Sequence, residues 1–142
     1  MKLKDFDFRV WDNHNKKYID NIPYSIKKYQ NENEVFLPFG TDLREYGFNE
    51  TFKNEIQIPS DRVEVELWTG LYDKNGEKIY EGDIIDINAD PFIFKDIVCI
   101  DMIMGIELKE SNYHLCNVVK NFTYGDYIDE IEVVGNIHNN HI

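Results

Sequence analysis

A mainly β fold, a small barrel or sandwich of short strands, follows from three features of the sequence. Apolar residues suited to sheet dominate: 18 Ile, 9 Val and 20 aromatics stand against 7 Leu, 3 Met and one Ala. β-Branched side chains lose rotamer freedom in helices and pack well on a pleated surface. Several segments alternate apolar and polar residues with a period of two, and turn signals recur between them at short intervals. At 142 residues the chain can bury one real core.

The elements follow in order. Phe6, Phe8 and Val10 interleave with Asp5, Asp7 and Arg9, giving a strand with one dry face. Asn13–Lys16 reads as a turn, and the chain returns through Lys17-Tyr18-Ile19, so residues 5–20 form a first hairpin. Residues 20–60, with Pro23, Pro38, Gly40, Gly47 and Pro59, are too long for a structureless loop in a compact domain. They read as an ordered arm with short strands at Val35-Phe36-Leu37 and Ile56-Gln57-Ile58 and one helical turn near Asp42–Tyr46. Its aromatics (Phe36, Phe39, Tyr46, Phe48, Phe52) need covering, which a neighbouring subunit could supply.

Val63, Val65 and Leu67 alternate with charged residues, and the strand continues through Gly70 to Tyr72, the glycine marking a bulge or bend. Asp73-Lys74-Asn75-Gly76 is the strongest turn signal, with an Asp side-chain acceptor first and a glycine last. It joins Gly70–Tyr72 to Glu77–Tyr80 as a tight hairpin. Glu81-Gly82-Asp83 turns into Ile84–Ile87. Strands at Ile93–Met102, Ile106–Lys109 and Ile131–Ile137 complete the set. Residues 112–122 fit either a helix, with Leu115, Val118, Val119 and Phe122 on one stripe, or a buried strand. The division is residues 1–62, hairpin and arm, and residues 63–142, the barrel.

Lys and Arg total 15 and Asp and Glu 27, a formal charge of −12. Residues 1–30 carry +3 and residues 31–142 carry −15, so the two parts attract each other within a chain or between copies. The excess of acid argues against general binding to phosphate backbones. It is a mixed solvated surface or an acidic face that steers a basic partner. No apolar run approaches a membrane span, and the charged opening lacks a signal peptide's apolar core. Cys99 and Cys116, in apolar surroundings, read as buried free thiols of a reducing cytoplasm.

No catalytic, cofactor or metal constellation emerges. His114 and Cys116 lie two apart, but a nucleophile pair needs a cleft and an orienting third group, and zinc needs four ligands. His138 and His141 read as a frayed tail. Asp73, Glu77, Glu81 and Asp83 cluster around the hairpin, but Asp73-Lys74-Asn75-Gly76 is too short for a calcium loop, which needs a longer ligand series ending in Glu. Gly70, Gly76 and Gly82 do not open a helix, so they cradle no phosphate. Arg9, Trp11, Lys16, Lys17 and Tyr18 resemble a short stacking platform for a single strand of nucleic acid. The acidic surface could also mimic DNA and occupy a DNA-binding host protein.

Three blocks together resemble the YopX family of bacteriophage and prophage proteins. They are Phe8-Arg9-Val10-Trp11-Asp12 with Asn15-Lys16-Lys17, the continuous run Thr69–Ile84 (TGLYDKNGEKIYEGDI), and Val133–Asn140 (VVGNIHNN). The blocks keep the family's order, and the middle one is the most specific. Residues 20–62 and 86–130 match no family pattern. The resemblance implies a mostly β protein with an SH3-like small barrel around Glu81-Gly82-Asp83 and the closing strand. It also implies a phage protein of the host bacterial cytoplasm, assembling as a homo-oligomer, with structural roles for Gly70, Gly76 and Gly82. It brings no established enzymatic activity. The resulting expectation is a non-enzymatic binding and oligomerisation module, contacting a host or phage protein rather than nucleic acid or a membrane.

Overall fold

A computed structural model of the chain describes residues 2–20, 24–28, 33–38, 55–103 and 105–139. It is mainly β, as expected, and divides into two compact units: Arg9–Val65, and Met1–Phe8 with Glu66–Ile142.

In the Arg9–Val65 unit, β1 (Phe8–Asp12) pairs antiparallel with β2 (Lys17–Tyr18), Trp11 opposite Tyr18 and Asp12 opposite Lys17. The turn between them is built on Asp12. Its Oδ1 accepts the backbone N–H groups of His14 (2.9 Å) and Asn15 (3.2 Å), and its Oδ2 accepts Asn15 Nδ2–H (3.0 Å). Arg62 grips the same carboxylate with Nε and Nη2, each at 2.9 Å. This grip draws Asp12 inward, so Val10, Trp11 and Asp12 are buried in succession and the simple alternation ends at Val10. A separate antiparallel sheet runs β3 (Ser25–Lys28), β4 (Asn33–Pro38), β5 (Glu55–Ile58). Val35 on β4 faces Ile26 and Ile58, and Val35 and Ile58 are buried. Both arm strands therefore form where their apolar triplets stand. The helical turn near Asp42–Tyr46, with Phe39, Tyr46, Phe48 and Phe52, lies outside the described residues.

The other unit carries the main core. β6 (Val63–Asp73) and β7 (Lys78–Tyr80) form the hairpin signalled by Asp73–Gly76. Asp73 is fully buried: Oδ1 accepts the N–H groups of Asn75 and Glu77 (both 2.9 Å), and Oδ2 accepts Val133 N–H (2.9 Å). An antiparallel sheet then runs β10 (Gly105–Leu108), β9 (Phe92–Asp101), β8 (Asp83–Ala89), β12 (Ile131–Asn136). On β12 a bulge between Val133 and Gly135 inserts Val134, which turns outward. The short β11 (Tyr127–Ile128) lies parallel to β6, a pairing that no turn signal announces.

Leu71, Ile79, Ile85, Ile87, Leu108 and Ile131 are fully buried in one apolar cluster. Each such side chain contributes roughly 1.5–3 kcal/mol through burial. Asp96, also buried, accepts the N–H groups of Glu110 (2.8 Å) and Ser111 (2.9 Å), tying the chain after β10 to β9. Residues 112–122 form neither a long helix nor a strand but one turn, α1 (Leu115–Val118), which buries Leu115 and Val118.

The SH3-like barrel is not what the described strands form. A barrel requires its first and last strands to pair. Here the sheets are open among the described residues, and the outer edge of β10 is met at Glu107 by a bridge to His114. Among the described residues no helix is long and apolar enough to cross a membrane.

Arg62 holds the Asp12 carboxyl well below the usual carboxylate range; burial opposes this, and the N–H groups of Asn15 and His14 add to it. Stability from a lowered folded value is complete above the unfolded value, about 3.9, and fades as the pH falls below it. Asp12→Asn is expected to lower stability by about 2 kcal/mol at neutral pH. In urea melts the gap from the parent should narrow below about pH 4; a gap independent of pH would contradict the ionic account.

Candidate functional site

The side chains best placed for recognition are aromatic, and the β6–β7 hairpin places them. Trp68 and Tyr72 lie four apart on β6 with Gly70 between them. Gly70 has φ of +86°, and an added Cβ there would fall within the ring of Tyr124. A glycine is required because the backbone is left-handed and the space above it is occupied. Tyr124 reaches this position on a turn closed by Asp126, whose carboxylate accepts Thr123 N–H (2.6 Å) and Thr123 Oγ1–H (3.1 Å). Gly125 N–H donates to the Gly70 carbonyl, and Tyr72 N–H donates to the Asp126 carbonyl (2.8 Å).

The rings touch in a row. Tyr124 meets Trp68 at 5.3 Å between centroids, Trp68 meets Tyr72 edge-on at 5.3 Å, and Tyr72 stacks on Tyr127 at 4.7 Å and 13°. The last pair are register partners across β6 and β11. Trp68 and Tyr72 are half-buried, whereas Tyr124 is 49% and Tyr127 61% exposed. Trp68 Nε1–H donates to the Leu71 carbonyl (2.9 Å), so its polar edge is satisfied within the protein.

A cation completes the surface. Lys78 Nζ lies 4.5 Å from the Trp68 ring centroid and 2.8 Å from Asp7 Oδ2. Tyr80 O–H donates to the same Asp7 oxygen (2.6 Å). Burial pushes the Asp7 carboxyl up, but bonds from Lys78, Tyr80 and Phe8 N–H outweigh it and hold the group below its ordinary value. The Asp7 contact raises Lys78 in turn. Such a surface can stack on flat or cationic groups and bury apolar chain.

The residues singled out in the sequence lie elsewhere. Trp11 is 3% exposed and packs edge-on to Tyr18, while the Arg9 guanidinium covers the Tyr18 ring at 4.8 Å. Lys16 and Lys17 are exposed, but of the two aromatics expected to stack a base Trp11 is inside and Tyr18 is half-buried beneath Arg9. His114 Nδ1 faces Glu107 Oε1 at 3.4 Å, and the Cys116 thiol donates instead to Asn117 Oδ1 at 3.9 Å. The thiols are not both buried: Cys99 is half-buried and Cys116 exposed, because Leu115 and Val118 turn inward and leave Cys116 on the solvent side of α1. His138 is no frayed tail, since its Nε2 contacts buried Glu66 Oε2 at 2.7 Å; His141 lies outside the described residues.

Asp83 is buried and accepts Tyr80 N–H (2.8 Å), and Glu81 accepts Leu67 N–H (3.1 Å), both structural uses. The aromatic row itself escaped the sequence reading. Its one sequence signal is Trp68-Thr69-Gly70-Leu71-Tyr72 together with Tyr124-Gly125-Asp126-Tyr127, and the two are joined only in the fold, by the parallel β6–β11 pairing and the backbone bonds beside it.

Gly70→Ala should destabilise the protein by about 1–2 kcal/mol from the left-handed backbone alone, and more because Tyr124 must move. Pairing it with Tyr124→Gly should return the clash component but not the backbone component. Chemical denaturation of the four variants measures both, and full additivity would refute the contact.

A family model described as YopX protein matches residues 7–141. The fold is similar to that of a protein named EF1440 from Enterococcus faecalis, with TM-score 0.52 and 18% identity over 94% of this chain and 93% of that one. It is similarly close to protein yopX from Bacillus subtilis, with TM-score 0.53 and 17% identity over 94% and 93% of the two chains. A search of curated proteins gave no match. With nearly its whole length covered by the family model, the chain belongs to the YopX family.

Proposed function

We propose that this protein is a non-enzymatic binding module, a phage or prophage accessory protein of the host cytoplasm, that recognises another protein through the Trp68–Tyr72–Tyr124–Tyr127 surface. The observation that carries this reading is the exposure of Tyr124 and Tyr127, held by backbone bonds and by contact with half-buried rings. Rings that served only the core would be turned inward, as Trp11 is. Aromatic side chains dominate the centres of protein interfaces because they bury much area at little cost in rotamer freedom.

The test is affinity capture from host cells with the parent chain and with Tyr124→Ala/Tyr127→Ala, each with and without nuclease. The reading expects a protein retained by the parent, lost by the variant and indifferent to nuclease. Equal capture by both chains, or capture that disappears with nuclease, contradicts it.

Self-association is a second reading, favoured by the tip of the β9–β10 hairpin. Met102 and Ile103 are 92% and 90% exposed there. Light scattering should give a mass that is a multiple of 16.9 kDa, falling towards the monomer in Met102→Lys/Ile103→Lys. A strict monomer at micromolar concentration ends this reading.

A further inference from the structure

The aromatic row also indicates the chemistry of what it takes. We infer that it binds a basic segment of its partner, with Arg or Lys side chains laid on the exposed faces of Tyr124 and Tyr127. This rests on the binding-module reading above and adds the partner's charge to it.

The surface already holds one cation in this way. Lys78 sits over the Trp68 ring and against Asp7, so an aromatic face with a carboxylate beside it is a working cation site in this fold. That internal lysine takes up Trp68, whereas Tyr124 and Tyr127 keep about half or more of their surface in solvent. Tyr127 has one face on Tyr72 and its edge near Gly76, where an added Cβ would lie 3.4 Å from Cε1.

Charge supports the same occupant. The unit that carries the row, Met1–Phe8 with Glu66–Ile142, holds seven Lys against 17 Asp and Glu, a formal −10. The two lysines of the β6–β7 hairpin are both matched: Lys78 by Asp7 and Lys74 by Glu132 at 3.1 Å. The field at the Tyr124 hydroxyl is acidic as well. Loss of solvent pushes the pKa of that hydroxyl up first, and Asp5, Tyr72 and Asp7 push it further up against Lys78.

Single-stranded nucleic acid also stacks on aromatics, but its phosphates need cations that are not already paired. An acidic peptide meets repulsion. A guanidinium stacks on a tyrosine face through its own plane and is more weakly hydrated than an ammonium, so arginine should exceed lysine.

The test uses the full chain and fluorescently labelled peptides of one length: Arg-rich, Lys-rich, neutral Pro-rich and acidic, with oligo-dT alongside. Anisotropy titrations are run at low and at raised salt on the parent, Tyr124→Ala, Tyr127→Ala and Tyr127→Phe. Far-UV circular dichroism of each variant establishes that it is folded. The Arg-rich peptide should bind most tightly, weaken about fivefold with either alanine variant, survive Tyr127→Phe, and weaken as salt rises.

Arg-rich binding that ignores both alanine variants would be attraction to the acidic unit at large, and overturns the inference. Preference for the neutral Pro-rich peptide, lost with the alanine variants, overturns the basic partner and leaves the binding-module reading standing. Preference for oligo-dT overturns both. If no peptide binds while affinity capture still depends on Tyr124 and Tyr127, the basic partner is excluded and the module reading survives.

Discussion

The larger unit depends on the carboxylate of Asp73. Its two oxygens accept three backbone N–H groups, two from the β6–β7 turn and one from Val133 on β12. Its own backbone is the register partner of Ile128 on β11. One buried residue, through side chain and backbone together, thereby ties the hairpin, the closing strand and the parallel strand to one another. A buried carboxylate is tolerated only where hydrogen bonds replace its lost water, and here backbone donors fill that role. The turn for its part supplies donors that the buried acid needs, so acid and turn stabilise each other. Tyr72 precedes Asp73 and Tyr127 precedes Ile128. The stacked pair of the aromatic row is therefore set by the same clamp.

This use of aspartate recurs. Asp12, Asp83 and Asp96 are also buried and also accept backbone N–H groups, from His14 and Asn15, from Tyr80 and from Glu110 and Ser111. Part of the acidic excess is consequently architectural and presents no charge at the surface. What remains outside still outweighs the lysines in the larger unit, and those of the β6–β7 hairpin are matched by neighbouring carboxylates. A formal charge says nothing of this division. Only the hydrogen-bond partners separate an aspartate that builds a turn from one that faces a ligand.

Local chemistry made much of the fold legible. The strand at Val63–Leu67, the Asp73–Gly76 turn and the Ile-rich strands all lie where their residue types imply, because each depends on contacts within a few positions. The faces expected from the alternation do not hold at Val65, which is exposed, and Glu66, which is buried. Long-range pairing was not legible. Nothing near Tyr127 announces a two-residue parallel strand, and Val134 looks like any outward strand residue until the bulge is seen. The stripe at Leu115, Val118, Val119 and Phe122 fits a helix or a buried strand, and the structure forms a helix of a single turn within it. The helix ends after one turn, where Val119 N–H returns to the Leu115 carbonyl and the backbone becomes extended. The candidate site was the least visible part, since its four rings come from segments more than 50 residues apart and are brought together by that parallel pair and the backbone bonds beside it.

The contrast between the two tryptophans separates scaffold from surface. Trp11 is enclosed beside Tyr18 and serves packing in the smaller unit. Trp68 is half-buried, its N–H satisfied by Leu71 and one face covered by the ammonium of Lys78. It acts as a floor on which more exposed rings rest. Leaving two tyrosines in solvent forgoes the stabilisation that burying them would give. The turn at Thr123–Asp126 and the glycine beneath Tyr124 nevertheless hold that arrangement in place rather than letting the rings collapse inward. A local conflict of this kind, apolar surface kept outside by specific backbone bonds, marks where a fold departs from its own stability optimum. In this chain that departure coincides with a place where aromatic faces, a fixed cation and an acidic field meet.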